Sequence, residues 1–212
     1  VMPGYSVRAL PSKATPPWGE QLAGRIAAYA ASRPSVDLDV AEMVGLRVVD
    51  SLAVALAAIN RRPVASARAM ALAHPRAGGA ALFGLPATVT VDCEWAAFAN
   101  GVAVRELDYN DTYLAADFAH PSDCIAPLLA VAQQTGKLGP DLTRAIAVAY
   151  EIHVALVDAI DLHSFKKDHV AHLAPAVAAG LGALLGLAAP VIYQAVNQSV
   201  HLSFATRQSR KG

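Results

Sequence analysis

Apolar residues return every three or four positions through one segment after another, and a proline or glycine closes each segment. Leu22, Ile26 and Tyr29 share such a face before Pro34. Asp39 reads as the N-cap of a longer helix to about Ile59, carrying Val40, Met43, Val44, Leu46 and Val48. Asn60-Arg61-Arg62-Pro63 ends that helix, and Pro63 opens the next, through Met70 and Leu72 to His74. Gly78 to Gly84 reads as a turn and a short extended piece. From Cys93 the helical spacing resumes, with Trp95, Phe98, Ala99 and Val102 on one side. Pro121 or Ser122 starts a helix to about Thr135, closed by Gly136. Pro140-Asp141 starts another with Leu142, Ile146, Ala149 and His153, reaching about Ile160. An alanine- and glycine-rich helix follows, and a last one runs from about Pro190 to Phe204. The pattern shows no sustained strand alternation and no internal repeat, so it predicts an all-α, multi-helix bundle. Residues 1–17, broken by Pro3, Pro11, Pro16 and Pro17, read as an irregular lead to a helical domain over 18–212.

Composition excludes several function classes. Lys and Arg number 17, Asp and Glu number 17, and the net charge is zero, which argues against a nucleic-acid arm or a basic membrane-surface patch. Hydrophobic residues make up 55% and charged residues 16%, which rules out intrinsic disorder. A surface this poor in charge implies cover by a partner or by further chain. Leu173 to Tyr193 carries no charge, but its alanines and glycines contribute little to membrane insertion, so it reads as a core helix. Two cysteines, Cys93 and Cys124, are too few for a disulfide framework, a four-ligand zinc site or an iron–sulfur cluster, and both read as small core hydrophobes. The first residues lack the apolar stretch of a signal peptide, which points to a reduced, cytoplasmic setting.

Two polar breaks interrupt the apolar pattern. The first, ELDYNDTYLAADFAHPSD, spans Glu106 to Asp123, and there Asp108 and Asp111 would share a face on a helical turn. With Glu106, Asp117 and Asp123 they form an acidic cluster in a chain short of charge. Three readings stay open: general acid–base chemistry, a Mg²⁺ site, or a solvated loop whose Asp and Asn cap helices. The second break, DLHSFKKDHVAH, holds His163, His169 and His172, and the i,i+3 spacing of His169 and His172 would suit a metal if both faced one cavity. His153 and His201 read as ordinary helix residues, and His120 sits at a loop-to-helix junction. The spacing of Gly180 and Gly182 lies inside a helical pattern, not after a strand, so it is no dinucleotide fingerprint.

The run Leu107-Asp108-Tyr109-Asn110-Asp111-Thr112, followed by His120-Pro121-Ser122-Asp123, resembles the signature of the MmgE/PrpD family. Asn100-Gly101 after Trp95-Ala96-Ala97, Lys167-Asp168-His169-Val170 before an Ala/Gly helix, and the closing Ala205-Thr206-Arg207-Gln208-Ser209-Arg210-Lys211-Gly212 resemble further motifs of that family, in the same order. The resemblance implies a cofactor-independent enzyme acting on small di- and tricarboxylates. It implies a large helical domain joined to a smaller α/β domain, usually in a homodimer, with no metal, no nucleic acid and no membrane partner. Carried over by motif, it implies that His169, His120 and Asp108 are catalytic and that Thr112 and Lys211, with Arg210 or Arg207 in its place, bind substrate. Within the family the nearest likeness is to members that dehydrate 2-methylcitrate in propionate breakdown through the methylcitrate cycle, and citrate is a further candidate substrate. Decarboxylation of cis-aconitate and epimerisation of iminodisuccinate are the rival family reactions. Members are more than twice as long as these 212 residues, so this stretch is expected to be the N-terminal part of the helical domain and inactive by itself. A Mg²⁺-dependent enzyme using Asp108 and Asp111, or a helical interaction domain without catalysis, would be the alternative outside the family.

Overall fold

Proline positions set where the helices begin. Pro63 lies in the first turn of α3 (Arg62–Leu72), and Pro190 in the first turn of α8 (Ala189–Ser203), where a missing N–H costs nothing. In the computed structural model, residues 11, 13, 14 and 16–206 are described, and among them the chain forms eight α-helices and two small strand pairs. The helical bundle expected from the sequence is therefore observed. Among the described residues, no helix is long and apolar enough to cross a membrane.

The chain divides into two compact units. One takes in the described residues up to Pro34, Thr112–Ala119 and those from Val148 to Thr206. It contains α1 (Leu22–Ser32), α7 (Leu173–Leu185), α8 and the second part of α6 (Gly139–Ala159). Every residue of α7 is Ala, Gly, Leu, Val or Pro, the mark of a helix packed on all sides. Ala176, Ala179 and Ala183 of α7 pack with Ile26 and Ala27 of α1 and with Ile192 and Val196 of α8. At Gly182 a Cβ would sit 2.6 Å from Ile192 Cγ1, so the close approach of α7 and α8 requires glycine there. This unit also holds a hairpin of β3 (Tyr113–Leu114) and β4 (Phe118–Ala119), antiparallel, with Tyr113 opposite Ala119.

The other unit takes in Ser35–Asp111 and His120–Ala147. It contains α2 (Leu38–Ala57), α3, α4 (Cys93–Arg105) and α5 (Ile125–Gln134). Its strands β1 (Pro75–Ala81) and β2 (Thr90–Val91) run antiparallel, with a register shift between Pro75 and Ala80. Ala67, Ala71, Ala96, Ala99 and Ala130 fill one core cluster, and their small side chains let helix backbones approach closely. Cys93 and Cys124 are both buried and reduced, as expected of small core hydrophobes. Leu38, Leu46, Val49 and Leu56 of α2 remain exposed, an apolar stripe on an otherwise amphipathic helix.

Three local expectations need correction. The N-cap of α2 is Asp37, in extended conformation; Asp39 lies in the first turn, where its carboxylate accepts from the Val40 N–H at 2.9 Å. The extended piece is Pro75–Ala81, earlier than Gly78 to Gly84. Asp108 and Asp111 share no helical face: α4 ends at Arg105, and Asp108 sits in the left-handed region with φ 55°.

Candidate functional site

The two acidic and histidine-bearing motifs of the first polar break fold onto each other through Arg105, the last residue of α4. Its guanidinium meets Asp108 Oδ1 at 2.8 Å, donates to Asn110 Oδ1 at 2.6 Å and lies 3.6 Å from Asp123 Oδ2. Asn110 is buried and donates through Nδ2 to Asp123 Oδ1 at 2.8 Å and to Ser122 Oγ at 3.1 Å. Asp111 accepts from the Ser122 N–H at 2.9 Å and has Arg47 Nε at 3.9 Å. One planar cation thus ties three polar side chains, which a lysine could not match in geometry.

His120 completes this group. Its Nδ1 stands 2.9 Å from the carbonyl oxygen of Asp111, and a carbonyl only accepts, so Nδ1 carries the proton and donates. Nε2 is then the basic nitrogen, and it lies 3.9 Å from Asp108 Oδ1. Asp108 and His120, both expected at the site, are brought together in this unit. Burial pushes the Asp123 carboxyl up to about 6, although Arg105, His120 and Asn110 each pull it down. The Mg²⁺ reading of Asp108 and Asp111 finds arginine beside each carboxylate, which fills the place of a counter-cation.

The second cluster lies in the other unit and is built on Asp117, which the sequence reading placed only in a general acidic group. The Asp117 side chain is fully buried. Oδ1 accepts from the Phe118 N–H at 2.9 Å and from His163 Nδ1 at 2.5 Å. Oδ2 accepts from the Leu162 N–H at 3.0 Å, and His172 Nε2 stands 3.4 Å away. Burial pushes this carboxyl up, but the donors from Phe118, His163 and Leu162 outweigh it and hold it below the usual range. Burial pulls the His172 imidazole below its usual value, against the raising influence of Asp117.

Aromatic stacking orders the histidines. The Phe118 ring lies 4.8 Å from His163 and 4.1 Å from His169, and the two imidazoles are 5.6 Å apart at 23°. His169 opens a short 3₁₀ turn capped by Asp168, whose Oδ1 accepts from the Val170 N–H at 3.0 Å and lies 3.5 Å from His169 Nδ1. His169 and His172 are both buried, and each faces its own carboxylate, Asp168 or Asp117. The shared metal cavity considered for the His169/His172 pair is therefore replaced by a separate carboxylate for each ring.

Thr112 leads into β3 in the same unit as His169, whereas Asp108 and His120 belong to the other. The Asp168 N–H donates to the Ala205 carbonyl at 3.1 Å, and Lys167 pairs with Thr206. Arg207, Arg210 and Lys211 lie outside the described residues. Among the described residues, Asp117, Asp161 and His163 place possible ligand atoms within 4.8 Å of one another. Those atoms are already engaged: Asp117 with His163 and two backbone amides, Asp161 with the Ser164 N–H and hydroxyl. The donor set thus reads as a hydrogen-bond network before it reads as a metal centre.

Sequence reasoning gave no role to Arg105, Asn110, Asp117 or His163. The available signal was position: His163 stands in the second polar break with His169, and Asp117 midway between the two motifs of the first.

Residues 21–212 match the model of the MmgE/PrpD N-terminal domain. A probable 2-methylcitrate dehydratase of Saccharomyces cerevisiae is 32% identical over 116 residues, covering 49% of this chain and 22% of that protein. The 2-methylcitrate dehydratase of Escherichia coli is 32% identical over 112 residues, covering 48% of this chain and 23% of the relative. The mitochondrial 2-methylcitrate dehydratase of Yarrowia lipolytica is 32% identical over 120 residues, covering 51% and 23%. The match thus spans less than a quarter of the length of these relatives. With the family match running over nearly the whole chain, the protein belongs to the MmgE/PrpD family through its N-terminal domain.

Proposed function

We propose that this chain is the N-terminal helical part of a cofactor-independent hydro-lyase that dehydrates 2-methylcitrate to 2-methylaconitate. The observation that carries the reading is the Asp108–Arg105–His120 arrangement, in which a basic imidazole nitrogen faces a carboxylate held by a guanidinium. The names of the relatives support the choice of substrate.

Dehydration removes a proton from a carbon next to a carboxylate and expels hydroxide from the neighbouring carbon. The electron pair of the C–H bond becomes the new C=C bond as the C–O bond breaks. Negative charge builds on a carboxylate that is already anionic, so cations must lie against it. Lys211, with Arg207 or Arg210, is assigned this task. The resemblance of the closing run to a family motif supports it. His169 is assigned as the base, with His120 in reserve, since imidazole needs least tuning near neutral pH. Asp108 or a protonated His120 supplies the proton that the departing hydroxyl takes to leave as water, and Thr112 hydrogen-bonds the substrate. We also place the enzyme in propionate catabolism, as a cytoplasmic homodimer; the exposed stripe of Leu38, Leu46, Val49 and Leu56 supports a partner surface.

The test is an assay of the full-length enzyme on 2-methylcitrate, citrate and cis-aconitate, each with and without a chelator. Water loss from 2-methylcitrate, insensitive to chelation, is expected. Decarboxylation of cis-aconitate without dehydration would contradict the reading, as would activity abolished by chelation.

A further inference from the structure

We propose that His163, oriented by Asp117, is the imidazole that meets substrate first in its unit and exchanges the reaction's proton, with Asp117 as its positioning carboxylate. The inference rests on the reaction proposed above and changes which histidine performs it. The His169 side chain is 5% exposed, and Phe118 covers one side of its ring; the His163 side chain is 25% exposed. A ligand reaching this cluster therefore touches His163 before His169.

Its geometry suits proton transfer. Nδ1 donates to Asp117 Oδ1, so Nε2 is the nitrogen that accepts a proton. The carboxylate is locked by the backbone N–H groups of Phe118 and Leu162, one on each oxygen. Stacking on Phe118 at 19° fixes the ring plane. Fixed carboxylate, fixed tautomer and fixed ring are what an acid–base histidine requires of its support. In the forward step Nε2 takes the C–H proton, the electron pair forms the C=C bond, hydroxide departs with a proton from the acid, and the imidazolium returns its proton to solvent.

The charged and titratable groups facing His163 are Asp117, Asp161, His169 at 5.6 Å and, through Asp117 Oδ2, His172. Two carboxylates, Asp117 and Asp161, thus lie beside the ring.

The test uses the full-length enzyme in two arms. Ring nitrogen NMR of His163 is expected to show the Nδ1–H tautomer in the wild type and loss of that preference in Asp117→Asn, because the carboxylate that accepts from Nδ1 is gone. His163→Asn, which keeps a donor near Asp117, is expected to lower kcat about 10²-fold and to remove the acidic limb of the pH profile, with KM and melting temperature little changed. Asp117→Asn should lower kcat about 10-fold with KM little changed, with recovery in Asp117→Glu. If His163→Asn fails to fold, His163→Gln replaces it and the NMR arm stands. Wild-type kcat and pH profile in the His163 variant would overturn the proposal while leaving the reaction intact. So would the opposite tautomer, or a tightly bound divalent ion ligated by Nδ1. A wild-type enzyme inert toward all three carboxylates would sink the reaction itself and this role with it, and the ring tautomer would then show only whether Asp117 and His163 pair.

Discussion

Asp117 and Asp123 are two shielded carboxylates six positions apart in the chain, and they are driven in opposite directions. The Asp117 side chain is fully buried, yet its carboxyl is held below the usual range. Asp123 is 16% exposed, yet its carboxyl is pushed up to about 6. Burial pushes both carboxyls up, and the balance against the hydrogen-bond donors decides the outcome. The difference lies in the donors: Asp117 accepts from two backbone amides and an imidazole nitrogen. Asp123 accepts from Asn110 and has Arg105 only at 3.6 Å. Hydrogen bonds to the charged form outweigh desolvation in one unit and fall short of it in the other. In one unit an anion steadies imidazoles; in the other, a guanidinium gathers carboxylates.

The largest expected effect tests whether the imidazole cluster carries the reaction. His169→Ala in the full-length enzyme should lower turnover by at least ~10²-fold on the family-motif assignment of His169 as base, whereas a His163 base predicts the larger loss in His163→Asn. Near-normal turnover in a steady-state assay would remove His169 from the mechanism.

Asp117→Ala should cost roughly 2–4 kcal/mol of stability, because it leaves buried N–H donors of Phe118 and Leu162 without an acceptor. Denaturant unfolding checks this, and a loss below ~1 kcal/mol would mean that the carboxylate is not the hub of its cluster.

The pH dependence of stability should then separate the two carboxylates by sign. Asp117, with its folded pKa lowered, contributes stability that is present above the ordinary Asp range and lost as pH falls through the folded value. Asp123, with its folded pKa raised to about 6, contributes stability that is present below the ordinary Asp range and lost as pH rises through about 6. Relative to Asp117→Asn, the wild type should therefore gain stability on going up from acid pH. Relative to Asp123→Asn, it should gain on going down from pH ~7 to ~4. Parallel slopes for the two variants would erase the distinction.

The smallest expected effect concerns the guanidinium. Arg105→Lys retains the charge but not the planar fork that reaches Asp108 and Asn110 together, and should cost about 1 kcal/mol. A cost near zero would show that charge alone organises that unit.

Helix starts were legible in the chain because proline leaves an unambiguous mark: Pro63 and Pro190 both fall in first turns. The cap of α2 was read two residues late, because Asp37 and Asp39 are equivalent by composition and only backbone conformation separates them. The adjacency of Asp108 and Asp111 looked helical on spacing and is not, since Asp108 takes a positive φ. The motif residues Asp108 and His120 are singled out through resemblance and not through periodicity, and they lie 3.9 Å apart at His120 Nε2 and Asp108 Oδ1. Asp117 was missed as a hub because its partners Leu162, His163 and His172 come from much later in the chain. No helical or strand period links positions so far apart, and only tertiary packing reveals them.

The most direct test of this account is a carboxyl-carbon NMR titration of Asp117 and Asp123 in the same protein. Asp123 is expected to titrate near 6, and Asp117 below the ordinary Asp range. Two ordinary midpoints, or the reverse order, would contradict the claim that the balance of burial against hydrogen-bond donors sets the charge at the two clusters.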